Sequence, residues 1–158
     1  MNVKRLKVYL DTSIINWCVS DDPMIAKEKE ATLKIVERIN AGEYEGYISE
    51  LVIGEINRCK DDKKREKLNQ CLKGMSLEVL SVSDEAKKVA EKYVLEKIIP
   101  ERYLDDALHI AMASINEIGI ILSWNFEHMV KMKTRHGVKA VNELLGYPEV
   151  EIVTPEEV

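Results

Sequence analysis

Apolar and polar positions along the chain predict short strands that alternate with helices. Short apolar runs and runs of alternating polarity predict five strands, at residues 6–10, 45–49, 77–82, 120–124 and 150–153. Apolar residues at helical spacing, with capping residues and breakers at their ends, predict helices at about residues 23–40, 50–56, 83–99, 103–117 and 138–145. Residues 58–73 are highly charged and carry only a thin apolar stripe.

This order of elements is typical of an α/β fold with a mostly parallel sheet and helices on both faces. The sequence has no internal repeat, low-complexity tract or linker, so we expect residues 1–158 to form a single domain. Ligands of such folds bind at the carboxyl ends of the strands. Polar residues that follow strands, or that begin helices beside them, are therefore the first candidates for a functional site.

Composition narrows the classes of function. Of the 158 residues, 46% are hydrophobic and 32% charged, as in ordinary globular proteins. The 23 basic and 28 acidic residues give a formal net charge of -5, which argues against a nucleic-acid coat or a membrane-surface protein. An enzyme that acts on nucleic acid through a local basic patch is compatible with this charge. The seven glycines form no phosphate-binding loop, which excludes a nucleotide kinase or a dinucleotide-binding enzyme.

The cysteines and the hydrophobic runs indicate the compartment. Cys18, Cys59 and Cys71 cannot all pair and show no CxxC spacing, so we expect neither a zinc site nor a disulfide framework. No apolar run approaches the roughly 18 residues of a membrane span. The first residues lack the apolar stretch and cleavage site of a signal peptide. We therefore expect a cytoplasmic protein that does not contact a membrane.

Acidic residues stand at the positions that such a fold brings together. Asp11 directly follows the first strand, Glu55 lies two turns into the helix after the second, and Asp105 and Asp106 open the helix before the fourth. Asn125 directly follows that fourth strand. Converging carboxylates repel each other, and a hard divalent cation such as Mg2+ or Mn2+ relieves the repulsion. Such a cation can generate hydroxide and support phosphodiester cleavage.

Each acidic residue also has a purely structural interpretation. Asp11, with the hydroxyl residues after it, could only cap a helix. Glu55 could be a solvated helix residue, although its neighbours in sequence are mostly apolar. Asp105 and Asp106 could simply favour the start of a helix through its dipole. Their shared position in the predicted fold is what favours a functional site.

Four segments of the chain resemble the PIN-domain ribonucleases, the class that includes VapC-type toxins. They are VYLDTS at residues 8–13, YIS at residues 47–49 leading to Glu55, DDALHIA at residues 105–111 and LSWNFEH at residues 122–128. The resemblance covers nearly the whole chain, and the order, spacing and strand context of the segments agree with it.

This resemblance implies a three-layer α/β/α fold and an Mg2+- or Mn2+-dependent endonuclease, usually acting on RNA. It assigns the metal ligands to Asp11, Glu55 and Asp106. Of the aspartate pair, Asp106 matches best because the family acid directly precedes an Ala-x-x-x-Ala pattern. Asp105 is a neighbour that assists. Ser13 resembles a small hydroxyl residue near the metal that holds a ligand or a phosphate oxygen. A metal-activated water would then cleave the RNA phosphodiester.

The sequence departs from the family pattern at Asn125, where many relatives carry an aspartate. Asparagine can orient a metal-bound water but supplies no charge, so we expect weaker metal affinity. The substitution leaves open an alternative function, a catalytically weak or inactive PIN-like module that binds RNA or a protein partner.

His109 shares the helix face of the aspartate pair; we expect a hydrogen-bonded structural histidine, with a general acid or base as the alternative.

Two basic segments are candidates for phosphate contacts on this otherwise acidic chain, with solvated helix faces as the alternative. Their candidate RNA-binding residues are Arg58, Lys63, Lys64, Arg65, Lys131, Lys133 and Arg135. Trp17 could stack on a base, although we favour core packing.

Two other phosphate-handling classes fit the sequence poorly. A phosphoacceptor receiver domain needs an early acidic pair, whereas the pair here is late. A phosphatase with an aspartyl nucleophile needs Asp-x-Asp after the first strand, where this chain has Ser13.

The PIN resemblance further implies the toxin of a type II toxin–antitoxin pair, with a small basic antitoxin as partner, and a homodimer.

Overall fold

A computed structural model describes residues 4–158, and this part of the chain forms five strands and seven α-helices. The strands pair in parallel in the order β3-β2-β1-β4-β5, so β1 is central. Their bounds are β1 Leu6–Leu10, β2 Tyr44–Ser49, β3 Leu77–Leu80, β4 Ile120–Leu122 and β5 Glu151–Val153. The predicted mostly parallel sheet is confirmed.

The α-helices connect the strands as crossovers, and three short 3-10 segments supplement them. The α-helices are α1 Thr12–Val19, α2 Ala26–Asn40, α3 Glu50–Asn57, α4 Asp62–Lys73, α5 Asp84–Leu95, α6 Leu104–Ile115 and α7 Met132–Leu145. The 3-10 segments are Pro23–Ile25, Glu101–Tyr103 and Pro155–Glu157. Within residues 4–158, none of the helices combines the length and the apolar character that crossing a membrane requires.

Strand β1 separates two hydrophobic cores. Its side chains alternate between the faces of the sheet, so Tyr9 packs with residues of α5, α6 and α7. Val8 and Leu10 pack on the other face with residues of α1, α2, α3 and α4. All three side chains are fully buried. The arrangement is a three-layer α/β/α fold, as the PIN resemblance implies.

Two helices had no counterpart in the sequence prediction. Helix α1 follows β1 directly and buries Ile14 and Ile15, but its eight residues are too few for a clear helical period. Helix α4 lies in the highly charged segment and buries only Leu68. The side chain of Asp61 accepts hydrogen bonds from the backbone N–H groups of Lys63 and Lys64, so this helix starts at a strong cap.

Several predicted boundaries were wrong. Pro23 begins a 3-10 segment rather than the long helix, which starts at Ala26. The fourth strand ends at Leu122, because the backbone N–H groups of Trp124 and Asn125 donate to serine hydroxyls rather than to a neighbouring strand. The third strand ends at Leu80. Helix α5 ends at Leu95, well before the proline taken as its end. Helix α7 begins at Met132 rather than near residue 138. Its first turns are mostly polar and therefore show no apolar helical period in the sequence.

Gly137 in α7 lies against Ile98 so closely that a Cβ atom would approach the Ile98 Cγ1 atom to 2.6 Å. We expect Gly137→Ala to destabilise the fold by about 1–3 kcal/mol through overpacking, despite the higher helix propensity of alanine. Gly54→Ala is the matched control, since a Cβ there meets only the Arg58 side chain, at 3.7 Å. Urea denaturation checks both, and a stabilised Gly137→Ala would contradict the packing.

Candidate active site

Asp11 lies at the carboxyl end of the central strand and is the N-cap residue of α1. Its side chain makes no capping hydrogen bond to the helix backbone. The hydroxyls of Ser13 and Ser123 donate instead to its two carboxylate oxygens, and the residue is only 3% exposed. A role limited to helix capping therefore does not account for this buried carboxylate.

The two serines fix the loop after β4 to the end of β1. Ser13 Oγ accepts a hydrogen bond of 2.8 Å from the backbone N–H of Trp124. Ser123 Oγ accepts one of 3.0 Å from the backbone N–H of Asn125. Each hydroxyl thus accepts from the backbone and donates to Asp11. The carboxylate is held by neighbours whose own positions are set by the fold.

Asp106 and Asn125 form the second part of the site. Asp106 lies in the first turn of α6, and its Oδ2 accepts a hydrogen bond of 3.1 Å from Asn125 Nδ2. The other end of the amide is also fixed, because Asn125 Oδ1 accepts from the backbone N–H of His128 at 3.0 Å. Asn125 therefore orients Asp106, which is a contact that an aspartate at position 125 could not make while ionised.

Glu55 projects from α3 towards α6. Its Oε1 lies 2.8 Å from Nε2 of His109, a histidine that is 2% exposed. Helix α3 starts at a defined place because Ser49 Oγ accepts from the backbone N–H of Leu51. His109 is buried and hydrogen-bonded, as predicted, and its carboxylate partner was not foreseen.

Burial and neighbouring charges alter the pKa values of the three acids. Burial raises the pKa of Asp11 despite the nearby His109 and the two serine hydrogen bonds. Burial also raises the pKa of Asp106, and the charge of Asp11 adds to this effect. Burial acts in the same direction on Glu55, but the hydrogen bond and charge of His109 outweigh it and lower its pKa. For His109, burial opposes the charged form, yet Glu55 and the two aspartates raise its pKa.

The raised pKa values predict how stability depends on pH without metal. A carboxyl whose pKa rises on folding contributes stability below its unfolded value, near about 4, and this contribution is lost as the pH rises through the folded value. We expect Asp106→Asn to gain stability over the wild type at about pH 8, and the gain to shrink towards about pH 5. Each pKa unit corresponds to about 1.4 kcal/mol. Thermal unfolding of both proteins in EDTA at the two pH values measures this gain. A stability difference that does not depend on pH would contradict the prediction.

The remaining predicted residues lie outside this cluster. Asp105 is exposed and pairs with Arg58 across 3.5 Å. Arg65 donates to the backbone carbonyl of Cys59 and to Asp62, and it therefore stabilises the start of α4. Arg135 pairs with Glu157 across 3.5 Å. The other four are exposed and form no ion pair within residues 4–158; they are Lys63, Lys64, Lys131 and Lys133.

Lys63 and Lys64 line a groove with Asn16 and Trp17 of α1, the helix that Asp11 begins. Trp17 stacks on Trp124, with ring centroids 4.6 Å apart and an interplanar angle of 7°. The packing role expected for Trp17 is thus confirmed, and its half-buried side chain also faces the groove. Lys131 and Lys133 lie on a different element, at the start of α7.

The chemistry of the donors suits a hard divalent cation, because the three acids offer only oxygen atoms. Thr12 Oγ1, beside Glu55, is also buried outside hydrogen-bond geometry to any partner within residues 4–158. In the described part of the chain, however, no three His, Cys, Asp or Glu side chains already stand together as a metal-binding group. Each carboxylate is directed at its own hydrogen-bonding neighbour. A cation would therefore have to draw these side chains together.

Sequence reasoning missed Ser123 and Tyr9. Ser123 follows β4 directly, so the search for polar residues after strands could have found it once the strand end was placed correctly. Tyr9 lies within β1, and its hydroxyl is 2.7 Å from His109 Nδ1. No local pattern distinguishes this tyrosine from an ordinary core residue.

Comparison with known proteins agrees with the fold. A family model described as PIN domain matches residues 8–125. The chain therefore belongs to the PIN-domain family, as the sequence resemblance predicts. The part of the chain that the model matches includes Asp11, Glu55, Asp106 and Asn125.

Two solved structures share this fold. VapBC2 from Rickettsia felis, bound to a DNA fragment from their promoter, has 14% identity and a TM-score of 0.58, covering 93% of this chain and 97% of that chain. VapC20 from Mycobacterium tuberculosis is described as a sarcin-ricin loop cleaving toxin. It has 14% identity and a TM-score of 0.59, and the match covers 90% of this chain and 98% of that chain. No sequence among the curated proteins gives a significant match.

Proposed function

We propose that this protein is a metal-dependent endoribonuclease of the PIN-domain type, with Asp11, Glu55 and Asp106 as ligands of Mg2+ or Mn2+. The observation that carries the proposal is the placement of three acids, one directly after β1 and one each on α3 and α6, at the carboxyl end of the parallel sheet, each with its own hydrogen bond. Membership of the PIN-domain family supports a nuclease.

The residues around the acids would prepare them for a cation. A divalent cation supplies positive charge that favours the ionisation of water and offsets charge developing on a scissile phosphate. Ser13 and Ser123 hold Asp11, and Asn125 holds Asp106, so these hydrogen bonds restrict the two carboxylates before a cation draws them together. Of the two roles that the resemblance implies for Ser13, the hydrogen bond to Asp11 supports the holding of a ligand.

The groove beside α1 supports RNA as the substrate. Three lysines and three aspartates line this groove. Of the lysines, Lys63 and Lys64 are exposed and form no ion pair within residues 4–158, and Trp17 offers an aromatic contact. Phosphates and bases of a single strand bind to this combination of groups. One of the structural neighbours is described as a toxin that cleaves the sarcin-ricin loop, which is an RNA substrate.

A small antitoxin is the proposed protein partner. One structural neighbour is a VapBC complex, and the net charge of -5 suits a basic partner segment laid across the acidic site. We further propose a homodimer, a cytoplasmic location and a single domain over residues 1–158.

Cleavage of RNA by the wild-type protein tests the proposal. The purified protein is incubated with a structured RNA and with DNA of the same sequence, in Mn2+, in Mg2+ and in excess EDTA. We expect cleavage of the RNA that either ion restores after EDTA treatment. Cleavage that persists in EDTA, or that the Asp106→Asn variant retains, would contradict the proposed metal-dependent activity.

A binding module without cleavage is the second candidate. It is favoured by Asn125, which leaves the site without a fourth acid, and by His109, which occupies one oxygen of Glu55. Such a module would shift the same RNA in a gel without cutting it at millimolar Mn2+. Substitution of Lys63 and Lys64 by alanine would weaken that binding in both candidates, whereas only the nuclease would turn over.

A further inference from the structure

Four polar side chains form a continuous hydrogen-bonded chain that ends at Glu55. Ser49 Oγ lies 2.7 Å from the Tyr9 hydroxyl, which lies 2.7 Å from Nδ1 of His109. Nε2 of His109 lies 2.8 Å from Glu55 Oε1. Ser49 and Tyr9 are fully buried and His109 is 2% exposed. The chain joins the end of β2, the central strand, α6 and α3.

The direction of the last hydrogen bond follows from the chemistry of its partners. An ionised carboxylate only accepts, so Nε2 of His109 carries a proton and donates to Glu55. In a neutral ring, Nδ1 then accepts from Tyr9, and Tyr9 accepts from Ser49. In a protonated ring, the bonds of Tyr9 and Ser49 reverse, but Nε2 still donates to Glu55. The contact with Glu55 is therefore the same in both states.

We propose that Tyr9 and His109 are positioning residues for the Glu55 carboxylate: His109 donates to Oε1 and leaves Oε2 for a divalent cation, and Tyr9 fixes the His109 ring. The inference rests on the proposed function, and it adds to that function the groups that fix one of its acids. Tyr9 acts through the ring, because its contact with Nδ1 sets which way the imidazole faces.

Burial supports a role beyond packing. Glu55 is on a helix with its side chain 26% exposed, so packing alone leaves it several rotamers. Burying a tyrosine hydroxyl and an imidazole is costly unless each polar atom is paired. Apolar residues would fill the same space without that requirement. The pairing here leads from the core to the one predicted ligand that no serine or asparagine side chain holds.

The core also contains a matched control. Tyr93 is fully buried, and its hydroxyl contacts Ser114 and Asn142 rather than His109 or any of the three acids. Tyr93→Phe removes a buried hydroxyl with two partners, as Tyr9→Phe does. The two variants should lose similar stability. Only Tyr9→Phe disturbs the orientation of Glu55.

Calorimetric titration with Mn2+ tests the proposal on the folded, full-length protein. We expect His109→Leu to raise the Mn2+ dissociation constant about 10- to 100-fold. His109→Gln, which keeps an N–H donor, should recover most of this loss, and Tyr9→Phe should weaken binding by about three- to tenfold. Tyr93→Phe should bind as the wild type does. Circular dichroism checks that each variant is folded.

The results separate the two levels of inference. Equal Mn2+ affinity of the wild type, Tyr9→Phe and His109→Leu would overturn the positioning role while leaving the proposed metal site intact. A wild type that does not bind Mn2+ would overturn the metal site, and the positioning role with it. Nitrogen NMR of the His109 ring in metal-free protein gives an independent readout. A proton on Nε2 supports the proposal, and a bare Nε2 would overturn it.

Discussion

Asp106→Asn is expected to lower metal-dependent RNA cleavage by about 100-fold or more. The substitution keeps the size of the side chain and can keep a hydrogen bond with Asn125, but it removes one of three negative charges around the proposed cation. Metal stabilisation of phosphodiester cleavage amounts to several kcal/mol, and every 1.4 kcal/mol or so corresponds to a factor of about ten in rate. Single-turnover cleavage with saturating Mn2+ measures the effect.

Asp105→Asn is the matched control for this prediction. Asp105 is the adjacent residue on the same helix, but its side chain is 55% exposed and pairs with Arg58. Exposed ion pairs contribute little, so we expect less than about a threefold change in rate. Equal losses in both variants would assign the effect to the helix as a whole. Full activity of Asp106→Asn in carefully purified protein would contradict its role as a ligand.

The architecture was predictable from sequence because strands alternate with helices at regular intervals. The two missed helices show where this information ends. Helix α4 buries a single leucine, so its stability comes from the Asp61 cap and from packing against α1 and α3, which no local pattern reveals. Helix α1 is equally invisible, since its apolar residues follow directly on those of β1.

The acids of the candidate site were predictable for a different reason. Asp11 directly follows β1, Asp106 lies in the first turn of α6, and Glu55 lies in the helix that directly follows β2. The rule for parallel sheets brings such positions together. Their partners could not be predicted in this way. Tyr9 and His109 are 100 positions apart, and Ser123 and Asp11 are 112 apart. Only the register of the sheet and the rotation of α6 place these pairs in contact.

Partners of this kind explain how a buried acidic site is maintained without a cation. Ser13, Ser123 and Asn125 donate hydrogen bonds to the aspartates, and His109 donates to Glu55. The donors offset part of the cost of burial, but the pKa values of Asp11 and Asp106 remain raised. The site therefore keeps unfavourable electrostatic energy in the folded protein, which binding of the proposed cation would release.

Thermal unfolding should show this release directly. At about 100 times its dissociation constant, Mn2+ stabilises by about 2.7 kcal/mol, which corresponds to a rise of roughly 5–11 °C in the midpoint for a chain of this size. We expect this rise in the wild type and in Asp105→Asn. We expect Asp106→Asn to unfold at a higher temperature than the wild type without metal and to gain little from Mn2+.

Asn125→Asp should have effects opposite to those of Asp106→Asn, namely a lower unfolding midpoint without metal and a larger Mn2+-induced rise. It replaces the amide that donates to Asp106 with a fourth carboxylate, so repulsion should lower the midpoint in EDTA by several degrees. The added charge should then increase the Mn2+-induced rise beyond that of the wild type. A rise in Asp106→Asn equal to that in the wild type would place the ion elsewhere on the protein. A smaller rise in Asn125→Asp than in the wild type would mean that the amide contributes more to the site by orienting Asp106 than a fourth charge can replace.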